Sequence, residues 1–434
     1  MVCEDNHRQG ISVTGGVDIK IVNSVLKDTK GTPPQAGIDW EPDWERLLNV
    51  SMTNCYITNN RVTGIDMNLY RPAWKGAKTI AATFDNCHVD SDDGVQGIAL
   101  KINNVQDLEG SDGLITFNDC SFRNKTNYST VSITDKSTLK ATVIFNRCFL
   151  EQTDSKGSVI SLGTSDVEIK NEMTFGGIEL NDCTVNDKYN RNFMTFEDNS
   201  NTTRGIRDVK GSIIVNNPFG ANYTLGAVAQ NITLRVIENK STPPSINITQ
   251  PIVLQKIEQG KNFTVSATAA DIDAGTSNGA GIQRVIFEIQ YANDKVYTFE
   301  DSEAPYTFSV ATATWQKGIY LVKAIAVSSN LFTKNISVVP FEIIGSNDLT
   351  NALFKTEKGY TSISIFPNPS KTELIISGTI SARTSYEIIN FEGKVLQADT
   401  IVGKVISIFN LKPGSYLIKF KTEAGETVQR FVKE

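Results

Sequence analysis

Histidine is almost missing from this chain of 434 residues, which contains only His7 and His88. With only two imidazoles, no histidine-based metal constellation or catalytic triad is expected. No apolar run approaches the ~20 residues a membrane-spanning helix needs, so no such span is expected. Blocks of Lys and Arg are missing too, and the net charge is −6. Nucleic acid is therefore not an expected partner, since binding to phosphates rests on clustered cations. Leu-rich helical periodicity is scarce while Asn, Thr, Ser, Ile and Val abound, which makes the chain all-β by propensity. The first residues, MVCEDNHRQGISV, show no basic segment, apolar core or small-residue cleavage site of a signal peptide. They run almost at once into an expected strand, the pattern of a repeat array whose upstream coils lie outside this sequence.

A single core stops growing at roughly 250 to 300 residues, so two or three domains are expected here. The first carries a repeat. Its strand reads GISV (10–13), GIDWE (37–41), GIDMN (64–68), GIALK (97–101), TVSIT (130–134), VISL (159–162) and MTFE (194–197), and a second strand begins after TNC, DNC, NDC, NRC and NDC. A fixed period of this size marks a solenoid in which each coil touches only its neighbours. Cys55, Cys87, Cys120, Cys148 and Cys183 fall at one place in five successive units, with Ser24 in that place in the first. A column of small apolar residues facing the core explains them better than disulfides.

The G-I-x-φ strand with its N-x-C partner resembles the right-handed parallel β-helix of pectate lyases, polygalacturonases and related polysaccharide-active proteins. The resemblance spans about residues 1–240. It implies a solenoid whose outward strand face meets a glycan, although adhesins and tail spikes share the fold.

Successive side chains of a strand face opposite ways. With Ile38 and Trp40 inward, and Ile11/Val13, Ile65/Met67, Ile98/Leu100 and Val131/Ile133 as their equivalents, Asp39, Glu41, Asp66 and Asn68 lie outward in neighbouring coils about 4.8 Å apart. Like charges opposed across a ladder destabilise it, so compensation is required. Three forms are open. Asp39, Glu41, Asp66 and Asn68 supply the oxygen ligands Ca²⁺ prefers. A proton held by one carboxyl would leave Asp39 and Asp66 as the acid pair of a glycoside hydrolase. Arg8, Arg71 or Lys101 would otherwise neutralise the acids as a surface network. The β-helix lyases use Ca²⁺ with Lys or Arg as base, and the resemblance then implies Lys101, Arg71 or Arg8 as that base, while Asp39 and Asp66 are the catalytic pair of the hydrolase alternative. Trp44, Trp74, Lys75 and His7 are candidates for sugar contact. An exported polysaccharide lyase acting on an acidic glycan is the leading expectation, with a hydrolase and a non-catalytic glycan-binding or adhesive β-helix as alternatives.

The period ends at TPPS. Short alternating strands follow over 242–344, and ATAADIDAGTSNGAGIQRVIFEI with GIYLVKAIAVSS resembles bacterial Ig-like modules, read as a spacer or weak glycan contact. A polar linker, 345–359, leads to 360–434. There SISIFPNPSKTELIISG, YEIINFEGKVL and ISIFNLKPGSYLIKF resemble the C-terminal sorting domain of the type IX secretion system, which implies a Bacteroidota-type host, that machinery as partner, and a secreted or cell-surface location. The expected architecture is a right-handed parallel β-helix followed by two β-sandwich domains.

Overall fold

A computed structural model describes the chain except for residues 43–44, 70–78, 92–96, 104–111, 137–140, 165–174, 199–205, 227–228, 276–280, 330–332, 346–363, 378–383, 391–393, 402 and 423–424. It forms two compact units, Met1–Ile344 and Gly345–Glu434. The described residues are strands and turns, and none forms a helix long and apolar enough to cross a membrane.

Residues 2–239 wind as a parallel β-helix. Gln9–Val13, Ala36–Trp40, Thr63–Asn68, Ile98–Asn103, Val131–Thr134, Ile160–Thr164 and Met194–Asp198 stack in that order as one parallel sheet. The strands between them build a larger parallel sheet, whose two flanks merge in the long strand Phe175–Asp187. Register makes the core. Val13, Trp40, Met67, Ile102, Ile133, Leu162 and Phe196 follow one another across neighbouring coils. Phe84, Phe117 and Phe145 stack in the second sheet with ring centroids 4.6 and 5.0 Å apart. Such aligned apolar columns bury alternate residues of every strand, the energetic basis of a solenoid.

The five column cysteines are buried and free. Their thiols point at backbone carbonyls, as Cys120 Sγ does toward Phe84 O at 3.3 Å, and Ser24 Oγ takes the same role toward Val22 O at 3.0 Å. The residue before each cysteine has positive φ, which favours Asn and Asp at the corner. Stacked amides tie these corners together: Asn54 donates to Asn23 at 2.7 Å and Asn86 to Asn54 at 2.9 Å. At the opposite corner, a Cβ on Gly64 would stand 2.2 Å from Val89 and 2.6 Å from the Ala99 carbonyl. Close passage of backbone, rather than an unusual φ, therefore demands glycine there.

One register differs from the sequence expectation. Gly97-Ile98 resembles Gly64-Ile65, but the structure pairs Ile65 with Leu100, Asp66 with Lys101 and Met67 with Ile102. Ala99 takes the glycine place, and Leu100 and Ile102 enter the core. A two-residue slip keeps the facing of every side chain, so the repeated dipeptide alone does not fix this alignment.

Residues 245–344 form a β-sandwich of a three-stranded sheet, Ser245–Gln250, Asn262–Ala270 and Tyr306–Ala311, on a five-stranded one. It lies against the β-helix. Ile319 and Leu321 bury themselves with Val25 and Tyr56. Beside them Arg123 donates to Glu151 Oε2 at 2.5 Å, Ile336 O at 2.6 Å and Asn335 Oδ1 at 3.2 Å, while Asn335 Nδ2 donates to Glu151 Oε1 at 3.1 Å. A fully bonded buried pair fixes one docking geometry. The sandwich is thus a packed partner of the coils, beyond the spacer expected from sequence.

The second unit is a smaller sandwich. Ser364–Phe366, Glu373–Ser377 and Val405–Ser407 form one sheet, and Val395–Thr400, Ser385–Ile389, Gly414–Thr422 and Gly425–Lys433 the other. Leu374, Ile388, Ile418, Phe420 and Phe431 fill the space between them.

Candidate acidic ladder on the outer strand face

The parallel register brings Ser12, Asp39, Asp66, Lys101 and Ser132 into one column on the outer face. Asp39 and Asp66 are direct partners, as the repeat requires. Lys101 is the next rung, and its Nζ stands 3.2 Å from Asp66 Oδ2. Although they face away from the core, Asp39 and Asp66 are only 3% and 5% exposed.

Burial sets their protonation. Loss of water raises the Asp39 carboxyl to about 6, with the negative charges of Asp66 and Glu41 adding to the rise and Arg8 and Lys101 opposing it. Asp66 is also raised, chiefly by burial, with the Lys101 ammonium pulling the other way and Glu41 adding to the rise. Asp66 Oδ1 is buried without a hydrogen bond. Two adjacent acids therefore differ: one has a cation bonded to it, and the other is poised to hold a proton near neutral pH.

Glu41 is exposed and follows Trp40, the partner of Met67, so that Glu41 and Asn68 are the next positions along their strands. Asn68 pairs in register with Asn103 of the following coil. Arg8 is exposed, and its Nε donates to Pro33 O at 3.2 Å. His7, also exposed, has Nδ1 3.3 Å from Thr32 Oγ1. Trp44, Arg71, Trp74 and Lys75 lie outside the described residues.

Calcium fits this donor set poorly. Among the described residues no three Asp, Glu, His or Cys side chains converge as a cation site, and an ammonium already bonds Asp66. A Ca²⁺ ion takes six to eight oxygens. No step is derived through it.

His88 follows the inward Cys87 in its strand, and alternation turns its side chain away from the coil's core. It is buried all the same, with Nδ1 2.7 Å from Ser121 Oγ and Nε2 3.1 Å from Asn86 Oδ1. Burial pushes its pKa well below the ordinary imidazole value, with the Lys323 charge adding to the effect. It is a neutral structural residue beneath the docked sandwich.

Residues 364–434 match the family model of the secretion system C-terminal sorting domain, and residues 244–324 match that of the bacterial Ig domain. No curated protein matches the chain. Among solved structures, the fibronectin(III)-like modules of Clostridium thermocellum CbhA align at 18% identity over 44% of this chain and 94% of that one, with a TM-score of 0.19. The BSP domain of a biofilm associated protein aligns at 15% identity over 44% of this chain and 29% of that one, with a TM-score of 0.15. Dimeric latent PorU from Porphyromonas gingivalis aligns at 13% identity over 47% and 22%, with a TM-score of 0.17. Scores so low carry no argument about this chain. The sorting domain does: it indicates export through the type IX secretion system to the cell surface or beyond.

Proposed function

We propose that this exported β-helix cleaves a polysaccharide on its outer strand face by hydrolysis, with Asp39 and Asp66 as the acid pair. The observation that carries this reading is the ladder Asp39, Asp66, Lys101, in which only one of two adjacent carboxyls has a cation bonded to it. Asp39, raised to about 6, would give its proton to the glycosidic oxygen, while Asp66, ion-paired with Lys101, would as its carboxylate attack or stabilise the anomeric carbon. Neighbouring rungs lie about 4.8 Å apart, close to the roughly 5 to 5.5 Å between carboxyls of retaining enzymes. Retention of configuration follows.

Elimination is the weaker form of the proposal. It needs an unprotonated base, and the described cation nearest the acids, Lys101, is an ammonium bonded to Asp66. An acidic polymer remains the proposed substrate class, with Arg8 exposed beside the column to meet its carboxylates. A second reading, a non-catalytic glycan-binding or adhesive β-helix, is favoured by one observation: both acids are almost fully covered.

Incubating the intact chain with uronate polymers, with and without chelator, separates these readings. Hydrolysis produces reducing ends without ultraviolet-absorbing unsaturated ends, ignores chelator, and is lost in Asp39→Asn and Asp66→Asn. Unsaturated ends that vanish with chelator contradict it in favour of a Ca²⁺-assisted lyase. Retained binding with neither product supports the second reading.

A further inference from the structure

The Ig-like sandwich rests on the coils through a small seat. Val25 and Tyr56 of the coils and Ile319 and Leu321 of the sandwich form an apolar cluster of their own, separate from the cores on either side. Polar bonds frame it: Arg123 donates to Ile336 O at 2.6 Å, Asn186 to Lys334 O at 2.9 Å, and Ala292 N to Asn23 Oδ1 at 2.8 Å. Opening such a seat exposes few apolar groups, so it can open locally while both cores stay folded. His88 lies beneath it, only 2% exposed. We propose that the seat is a proton-sensitive latch, closed over a neutral His88 and released when the uncovered imidazole takes a proton.

The bonds to the ring fix its neutral form. Asn86 Nδ2 is engaged with Asn54 Oδ1 at 2.9 Å, so Asn86 Oδ1 is left to accept the hydrogen of His88 Nε2 at 3.1 Å. Nδ1, 2.7 Å from Ser121 Oγ, then accepts from that hydroxyl. Neither ring nitrogen bonds a carboxylate. From the sandwich, the charge acting on the ring is the Lys323 ammonium, which shares Glu288 with Lys295. From the coils, Tyr56, Asp90 and Arg123 line one small cavity with the ring, and Arg123 is held by Glu151. Asp85, next to Asn86, bonds Asn118.

The sign of the effect follows from burial. Covered, the imidazole is pushed well below its ordinary value by loss of water, with Lys323 adding to the fall. Once the sandwich lifts, the ring meets water and titrates as an ordinary histidine near 6.5. The closed seat then binds fewer protons than the open one, so closure is complete above about pH 7 and weakens as pH falls below about 6.5. At pH 5 the opening constant should be about thirtyfold larger than at pH 8. Asp187, which lines a cleft between sandwich and coils, is a carboxyl raised by burial and works in the opposite direction.

The test is hydrogen exchange of the full chain at pH 8 and pH 5, corrected for the intrinsic effect of pH and read at Ala292, whose amide crosses the seat. The parent should lose protection about ten- to thirtyfold at pH 5. His88→Gln, whose amide can bond Ser121 and Asn86 without titrating, should not. Amides of the two cores, at Phe117 and Phe287, should keep their protection, which separates release of the seat from global unfolding. In His7→Gln, at an exposed residue, His88 is the one imidazole left, and its ¹⁵N shifts should report a neutral ring at pH 5. Equal losses in parent and His88→Gln, no loss in the parent, loss in the cores as large as at Ala292, or an imidazolium in the closed chain at pH 5 overturns the proposal. The latch rests on the seat alone, so Asp39→Asn should leave it unchanged and its failure is distinguishable from failure of the hydrolase reading.

Discussion

Lys101 stands 3.2 Å from Asp66 on one side, and the ladder places Asp39 on the other. One carboxylate lies between a cation and a second acid, and the consequences of that asymmetry can be measured.

Removing the cation should hurt. In Lys101→Ala, Asp66 would be a covered carboxylate between Asp39 and an uncharged residue. Breaking a buried pair costs about 3 to 5 kcal/mol, and partial exposure of Lys101 brings the expectation to about 2 kcal/mol at pH 7. Urea unfolding should show the loss shrinking as the pH falls and Asp66 gains a proton.

Asp39→Asn should have the opposite effect. The folded carboxyl titrates at about 6, above its unfolded value near 3.9. The folded chain then binds more protons between these values, so stability is full at and below pH 4 and falls as pH rises through 6. An amide removes that loss. The variant should exceed the parent by about 1 to 2 kcal/mol at pH 8, after discounting for solvent screening, and match it at pH 4.

Arg123 and Glu151 make the firmest polar tie between sandwich and coils. Arg123→Met alone should cost about 3 kcal/mol, because Glu151 and Asn335 lose their donor and acceptor network. Arg123→Met with Glu151→Leu should recover most of it, since two apolar groups leave no buried charge. A double-mutant cycle in urea reads the coupling.

The cysteine column predicts silence. Burial raises the thiols of Cys55, Cys87, Cys120 and Cys148 well above their ordinary value, with stacked neighbouring thiols contributing and, for Cys55, leading. Under native conditions a thiol reagent should label Cys3 alone, which is half-buried, with the column reacting only on unfolding.

Much of this was legible in sequence for a physical reason. A solenoid repeats its environment, so the N-x-C corner and the G-I-x-φ strand expose the period, the inward face and the pairing of Asp39 with Asp66. Lys101 was harder. Gly97-Ile98 imitates Gly64-Ile65, and because a two-residue slip leaves every facing unchanged, the pattern hides that the rung begins two residues later. Docking of the sandwich was invisible: Arg123 and Asn335 are 212 residues apart and look like ordinary surface polars until packed together. Burial of His88 was invisible for the same reason, since a side chain turned outward on its coil is covered only by the sandwich.

The central claim is that Asp39 holds its proton well above the ordinary carboxylate range, beside an Asp66 that is ion-paired with Lys101. Selective ¹³C labelling of aspartate, with the Asp39 carboxyl assigned by its absence in Asp39→Asn, would follow that group by NMR through acid titration of the intact chain. A midpoint near pH 6 is predicted, falling when Glu41→Gln removes one of the charges that raise it. A midpoint at or below the ordinary value near 4 would contradict the account.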